Sequence, residues 1–269
     1  MDLDGTIFGD DLVISARTRA AIGEAQRRGV LVTLATGRMF GSARQIAADL
    51  GIHAPLICYQ GALVRHSDTG EVLYHKTVPL DLALQVIEET SRRGLHLNVY
   101  LNDRLYVARV TPEARYYSSI NMDLPIHEVG DLQGWLQAQG GAEPTKLVVV
   151  TKASDTDRTL ETFQGLFGGQ LQVTKSHPRF TEFTNVECSK GRALAFLAEV
   201  HGIGREEVMA IGDGHNDMDM IAWAGLGVAM PTSPEAVRQV ARVICAPLLE
   251  DGAAGAIEKY VLGDSAQHG

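Results

Sequence analysis

Four short stretches of the chain carry side chains that could act together. Asp2-Leu3-Asp4-Gly5-Thr6 opens the sequence, and Gly212-Asp213-Gly214-His215-Asn216-Asp217 lies towards its end. Between them stand Leu34-Ala35-Thr36-Gly37-Arg38 and Ser189-Lys190-Gly191. In extended backbone, carboxylates at i and i+2 point to the same side, so Asp2 and Asp4 are expected to face one site. With Asp213 they would make a hard, anionic, all-oxygen site of the kind that suits Mg²⁺. Lys190 adds a cation and Thr36 a hydroxyl donor. Such a set could hold a phosphate oxyanion against a metal ion. One carboxylate could then attack phosphorus to give an aspartyl-phosphate. A second could protonate the leaving oxygen and later activate water.

The elements around these stretches suit that role. Each stretch ends an apolar run or opens a helical one, where open parallel sheets place their ligand sites. Val30 to Ala35 is a nearly continuous apolar run, as expected of a buried parallel strand. Ser15 reads as the N-cap of a helix closed by Gly29. The chain up to about Pro79 therefore reads as β-α units on a parallel sheet. After Ser189 the same pattern returns, with expected helices over 191–201, 216–224, 234–241 and 255–262. Strands are expected over 207–212, 227–230 and 243–245. In between, apolar runs over 97–101 and 105–110 flank Asn102-Asp103, a hairpin turn signal. Further helix and strand patterns there suggest an antiparallel α+β unit. The expected organisation is an α/β core of residues 1–80 and 185–269, interrupted by an insert of residues 81–184.

Composition narrows the function. The 269 residues include 24 Lys and Arg against 33 Asp and Glu, a net charge of −9. An acidic chain repels a phosphate backbone, so no nucleic-acid partner is expected. No apolar run approaches the ~18 residues a membrane span needs, so no membrane partner is expected either. Cys58, Cys188 and Cys245 are odd in number and widely spaced. That argues against a disulfide framework or zinc site and for a reducing, cytoplasmic setting. Neither Asp213 nor Asp2 begins an EF-hand loop, since Gly is missing from the sixth position. Gly212-x-Gly214-x-x-Asp217 fails the last position of a dinucleotide fingerprint, and no G-x-x-x-x-G-K-[ST] occurs. Arg38 reads as a structural arginine of its loop. Tyr116, Tyr117, His177 and Arg179 read as packing or surface residues.

Taken in order, Asp-x-Asp-Gly-Thr, a Thr ending an apolar strand, Ser-Lys-Gly and Gly-Asp-x-x-Asn-Asp resemble the haloacid dehalogenase (HAD) superfamily. The likeness covers essentially the whole chain. The place and size of the insert resemble the type IIB cap of the Cof-like hydrolases. Outside the insert, Ala35-Thr36-Gly37-Arg38, Gly61-Ala62-Leu63, Gly227-Val228-Ala229-Met230 and Glu250-Asp251-Gly252 are also similar to phrases of the Cof-like hydrolases. The resemblance implies a Rossmann-like parallel-sheet core with an inserted α+β cap that selects the substrate. It implies a Mg²⁺-dependent phosphatase, acting on a small phosphorylated metabolite such as a sugar phosphate. By the same resemblance Asp2 is the nucleophile and a metal ligand. Asp4 is the general acid/base, with its carbonyl on the metal, and Asp213 is the third protein ligand. Thr36, Gly37, Lys190 and Asn216 bind phosphate, and Asp217 supports them. A hexose phosphomutase, a glycosyl-phosphate phosphatase of the same cap type and a phosphate- or metal-binding module without turnover are the alternatives. The chain departs from the family pattern at Gln60-Gly61, where relatives often carry Asn-Gly. It departs again at Pro231-Thr232-Ser233, where they often carry Gly-Asn-Ala. The substrate itself and the oligomeric state are not encoded in any motif.

One expectation concerns Met1. A nucleophile loop at the edge of a sheet needs a strand before it, and only Met1 precedes Asp2. Three or four buried aliphatic side chains are worth roughly 5–10 kcal/mol before entropy. The natural start is therefore expected upstream of Met1.

Overall fold

A parallel sheet arises where apolar runs are each followed by a helix. In the computed structural model, which describes residues 1–9 and 11–263, the chain divides into two compact units. One is Met1–Tyr74 with Ser189–Gly269, the other His75–Cys188.

The first unit opens with α1 (Ala16–Arg27), whose first turn is closed by Thr18 N donating to Ser15 Oγ. Then come α2 (Phe40–Asp49), β1 (Pro55–Cys58), β2 (Leu63–His66) and β3 (Val72–His75). The last three form one sheet in that order, with β1 and β2 antiparallel. This meander replaces part of the expected β-α pattern. Runs of four residues are too short for periodicity to reveal. A tight turn, with Gly70 N donating to His66 O, sets the second strand against the third.

The expected strand from Val30 is shortened. Its end is paired on both sides: Thr36 N donates to Ile57 O at 2.8 Å, and Ala35 N to Met1 O at 2.8 Å. Asp2 N in turn donates to Ile211 O at 2.9 Å. Met1, Val30, Val32, Leu197, Val208 and Ala210 line a cleft of about 530 Å³. Val30 and Leu31 are accordingly exposed.

The second unit runs α3 (Leu80–Arg92), β4 (His96–Leu101), β5 (Arg104–Val107), α4 (Pro112–Ser119) and β6 (Ile126–Glu128). It continues through α5 (Leu132–Gln137), β7 (Lys146–Val150), α6 (Ala153–Phe167), β8 (Leu171–His177) and β9 (Phe180–Asn185). Its six strands lie in the order β6-β5-β4-β7-β9-β8, antiparallel except for β5 with β6. Asn102 and Asp103 both have positive φ, 50° and 59°, as a two-residue hairpin turn of this twist requires. Leu97, Val99, Leu147, Val149 and Phe183 pack with Val86 and Phe163 into one core. Side chains alternate across a strand, so Lys146 and Glu182 belong to the other face. They are buried there and paired at 3.3 Å. The unit extends beyond the expected limits of 81 and 184. Val78 joins its core, and Asn185 Nδ2 donates to Thr77 O at 2.8 Å.

The chain then resumes the first unit with α7 (Lys190–Val200), β10 (Met209–Gly212), α8 (Met218–Trp223) and β11 (Leu226–Ala229). It ends in α9 (Glu235–Val240), β12 (Val243–Ile244) and α10 (Gly252–Tyr260). β10, β11 and β12 are parallel. Ala35, Ile57, Leu197, Ala210, Met220 and Ala229 form the core that joins both halves of this unit. Among the described residues no helix is long and apolar enough to cross a membrane.

Removing one partner of a buried ion pair leaves the other uncompensated, at a cost of about 3–5 kcal/mol. Lys146→Met should therefore destabilise the 75–188 unit by that order, and Lys146→Met with Glu182→Leu should recover most of it. Urea unfolding followed by Trp135 fluorescence in a Trp223→Phe background reads this unit. A double variant no more stable than the single one would contradict the account.

Candidate active site

The parallel sheet delivers three of the four sequence stretches to one edge. Asp2 follows the backbone pairing to β10, Thr36 follows the paired end of the Val30 run, and Asp213 follows β10 directly. Lys190 arrives as the first residue of α7, whose cap is Ser189, with Arg192 N donating to Ser189 Oγ. A cation at a helix N-terminus is opposed by the dipole, so its position has to be offset by nearby anions. Two carboxylates do this. Lys190 Nζ donates to Asp2 Oδ1 and to Asp217 Oδ1, each at 2.6 Å. Lys190, Asp2 and Asp217 are all buried. Asp217 is also held through Oδ2, which accepts from Asp213 N at 3.0 Å and Gly214 N at 2.9 Å.

Asp2, Asp213 and Asp217 bring carboxylate oxygens within 4.8 Å of one another. Thr6 Oγ1 donates to Asp213 Oδ1 at 3.0 Å and orients it. Three carboxylates face one ammonium, so the cluster is short of positive charge. Burial, then the charge of Asp217, pushes Asp2 well above the usual carboxylate range. The same two causes push Asp213 up to about 6. Burial works against the Lys190 ammonium, but Asp2 and Asp217 outweigh it and hold its value above the ordinary lysine range. A hard divalent cation fits this donor set, and Asp2 and Asp213 are the oxygens placed to hold it. Asp217 has both oxygens engaged and acts as their support.

Asp4 is not one of the three grouped carboxylates, although its charge acts on Asp2. Thr6 N, Ile7 N and Phe8 N all turn back to Leu3 O, so the chain reverses directly after the two aspartates. The Asp4 carboxylate lies half-exposed and is gripped by Arg38, Nε to Oδ2 at 2.8 Å and Nη2 to Oδ1 at 2.5 Å. Arg38, read from sequence as a structural residue of its loop, is thus bound to a candidate catalytic group. Buried Thr36 accepts from Arg38 N through Oγ1 at 3.1 Å. Gly37 lies against the amide of Gln60, and Asn216 Nδ2 donates to Gln60 Oε1 at 3.0 Å. Sequence reasoning marked Gln60 only as a departure from a family pattern. It passed over Thr6, although that residue stands inside the opening motif.

Known proteins are similar to this chain over almost its whole length. The family model for haloacid dehalogenase-like hydrolases matches residues 1–257. The chain belongs to that family. It is 31% identical over 263 residues to a 5-amino-6-(5-phospho-D-ribitylamino)uracil phosphatase of Bacillus subtilis, covering 97% of this chain and 94% of the relative. A haloacid dehalogenase-like hydrolase from Bacteroides thetaiotaomicron has a similar crystal structure. The TM-score is 0.85 at 28% identity, over 96% of this chain and 97% of the other. A HAD subclass IIB sugar phosphatase shares the fold with a TM-score of 0.81 at 22% identity, over 96% of both chains. The mixed α/β architecture with its parallel-strand core is therefore that of the family.

The raised value of Asp213 sets a pH dependence. A carboxyl whose folded value, about 6, exceeds its ordinary value near 4 stabilises the metal-free fold at low pH. That contribution is lost as pH rises through about 6. A cation competes with the same proton, so its binding releases one. The rise in melting temperature caused by Mg²⁺ should be small at about pH 5 and grow through about pH 7. In Asp213→Asn most of that growth should vanish. A Mg²⁺ effect independent of pH in the unsubstituted protein would contradict the assignment.

Proposed function

We propose that this HAD-family hydrolase is a Mg²⁺-dependent phosphatase of small phosphorylated metabolites, sugar phosphates foremost, working through an aspartyl-phosphate on Asp2. The observation that carries the reading is the buried Asp2 carboxylate, held at 2.6 Å by Lys190 and grouped with Asp213. Mg²⁺, held by Asp2, Asp213 and the Asp4 carbonyl, would neutralise charge on the phosphoryl group. Phosphoryl transfer needs mainly such positioning and charge neutralisation.

In this mechanism an Asp2 carboxylate oxygen attacks phosphorus, and the bond from phosphorus to the leaving oxygen breaks. Asp4 gives its proton to that oxygen. Asp4 then takes a proton from water, whose oxygen attacks the same phosphorus and frees Asp2 with release of phosphate. Lys190 keeps Asp2 in place, and Thr36, Gly37 and Asn216 orient the phosphate. The residues of the 75–188 unit select the organic part of the substrate. The phosphatase names of the relatives support this reading, and the name of the subclass IIB neighbour supports the sugar-phosphate class. The odd number and wide spacing of the three cysteines support a cytoplasmic setting.

Asp2→Asn should reduce release of phosphate from p-nitrophenyl phosphate to background while circular dichroism shows the fold intact. Turnover above a few per cent of the unsubstituted protein's would remove Asp2 from the nucleophile's role. Absence of turnover in the unsubstituted protein with Mg²⁺ would leave a binding module. Asp213→Ala should raise the Mg²⁺ concentration for half-maximal activity more than it raises KM. An unchanged Mg²⁺ requirement would refute its role as ligand. Among phosphorylated metabolites ranked by kcat/KM, sugar phosphates should lead.

A further inference from the structure

Tyr59, Gln60 and Gly61 follow β1 with φ of 52°, 59° and 91°. Left-handed backbone is ordinary for the glycine but uncommon for the two residues before it. Such strain persists only where the surroundings impose it, and it gathers at functional sites. Here the surroundings are the phosphate-side loops. Tyr59 N donates to Arg38 O at 3.0 Å, and Gln60 N donates to Thr36 O at 3.1 Å. Gly61 packs so closely on the Ser189 carbonyl that any Cβ there would collide with it. The strained turn therefore sits between the Thr36 loop and the start of the Lys190 helix.

Its side chain reaches the remaining loop. Gln60 is buried, its amide lies against Gly37, and its Oε1 accepts from Asn216 Nδ2. An asparagine amide has a donor end and an acceptor end. With Nδ2 committed to Gln60, the orientation of Asn216 is set. We propose that Gln60 is a positioning residue of the phosphate site, fixing the Asn216 amide against the Thr36-Gly37 loop, and that its neutrality is required because it adjoins bound phosphate. This rests on the phosphatase reading given above, and it assigns a role to a residue that reading does not use.

Two substitutions separate geometry from charge. Gln60→Glu keeps the shape and the acceptor for Asn216 but adds a negative charge. Gln60→Met keeps the volume and removes the acceptor. Inhibition by inorganic phosphate, KM and kcat for p-nitrophenyl phosphate at saturating Mg²⁺, and the melting-temperature rise caused by phosphate would be measured for each. The inhibition constant and KM should rise by roughly tenfold or more in Gln60→Glu and by about fivefold in Gln60→Met, with kcat less affected. The phosphate-dependent rise in melting temperature should shrink in parallel. A merely structural residue would lower the melting temperature without moving either constant, and that result would overturn the proposal. So would an unchanged inhibition constant in Gln60→Glu. Should Gln60→Glu fail to fold, Gln60→Met decides by the same constants. If the unsubstituted protein neither turns over p-nitrophenyl phosphate nor binds phosphate, the phosphatase reading fails and this inference with it. If it does both and the variants match it, this inference alone fails.

Discussion

A single buried ammonium organises the catalytic unit. Lys190 is desolvated and stands at the wrong end of a helix dipole, two costs that only close anions can offset. Asp2 and Asp217 supply them at 2.6 Å. Each anion belongs to a different element, one at the edge of the sheet and one after β10. Satisfying the lysine therefore locks α7, the Asp2 loop and the Asp213–Asp217 loop into one arrangement. Asp217 passes the constraint on, since its second oxygen holds the backbone of Asp213 and Gly214. The negative charge that remains around Asp213 is what a divalent cation would neutralise.

Much of this was legible in the residues. Alternating apolar runs and helices disclosed the parallel core, and Asn102-Asp103 disclosed a hairpin because few residue pairs tolerate positive φ at both positions. Residue type and motif order grouped Asp2, Lys190 and Asp213, which the structure brings close together. What stayed hidden depended on tertiary context. The β1–β3 meander is built from four-residue strands, which leave no periodic signature. The limits of the inserted unit depend on where Val78 and Asn185 find partners, and no local pattern reports that.

The instructive difference lies at Asp4. Two carboxylates one residue apart share a side only if the backbone between them is extended. Here the two side chains take different partners, Lys190 for Asp2 and Arg38 for Asp4. Asp2 goes into the buried charge cluster, whereas Asp4 goes to Arg38 at the half-exposed margin. In the mechanism proposed above this suits two different tasks, since a nucleophile benefits from being fixed and a proton carrier from contact with solvent.

Gly61 against Ser189 has a consequence for how such a chain can change over evolutionary time. The 75–188 unit interrupts the sequence, yet core groups moor the point where the chain re-enters the core. Gly61 receives the Ser189 carbonyl, Ser189 Oγ caps its own helix, and Asp219 Oδ2 accepts from Gly191 N. The lysine that follows is thereby held in register by residues outside the insert. A different insert could be spliced between residues 74 and 189 while that mooring stays in place. The inserted unit and the core are in this sense separately heritable, and the glycine helps to keep them so.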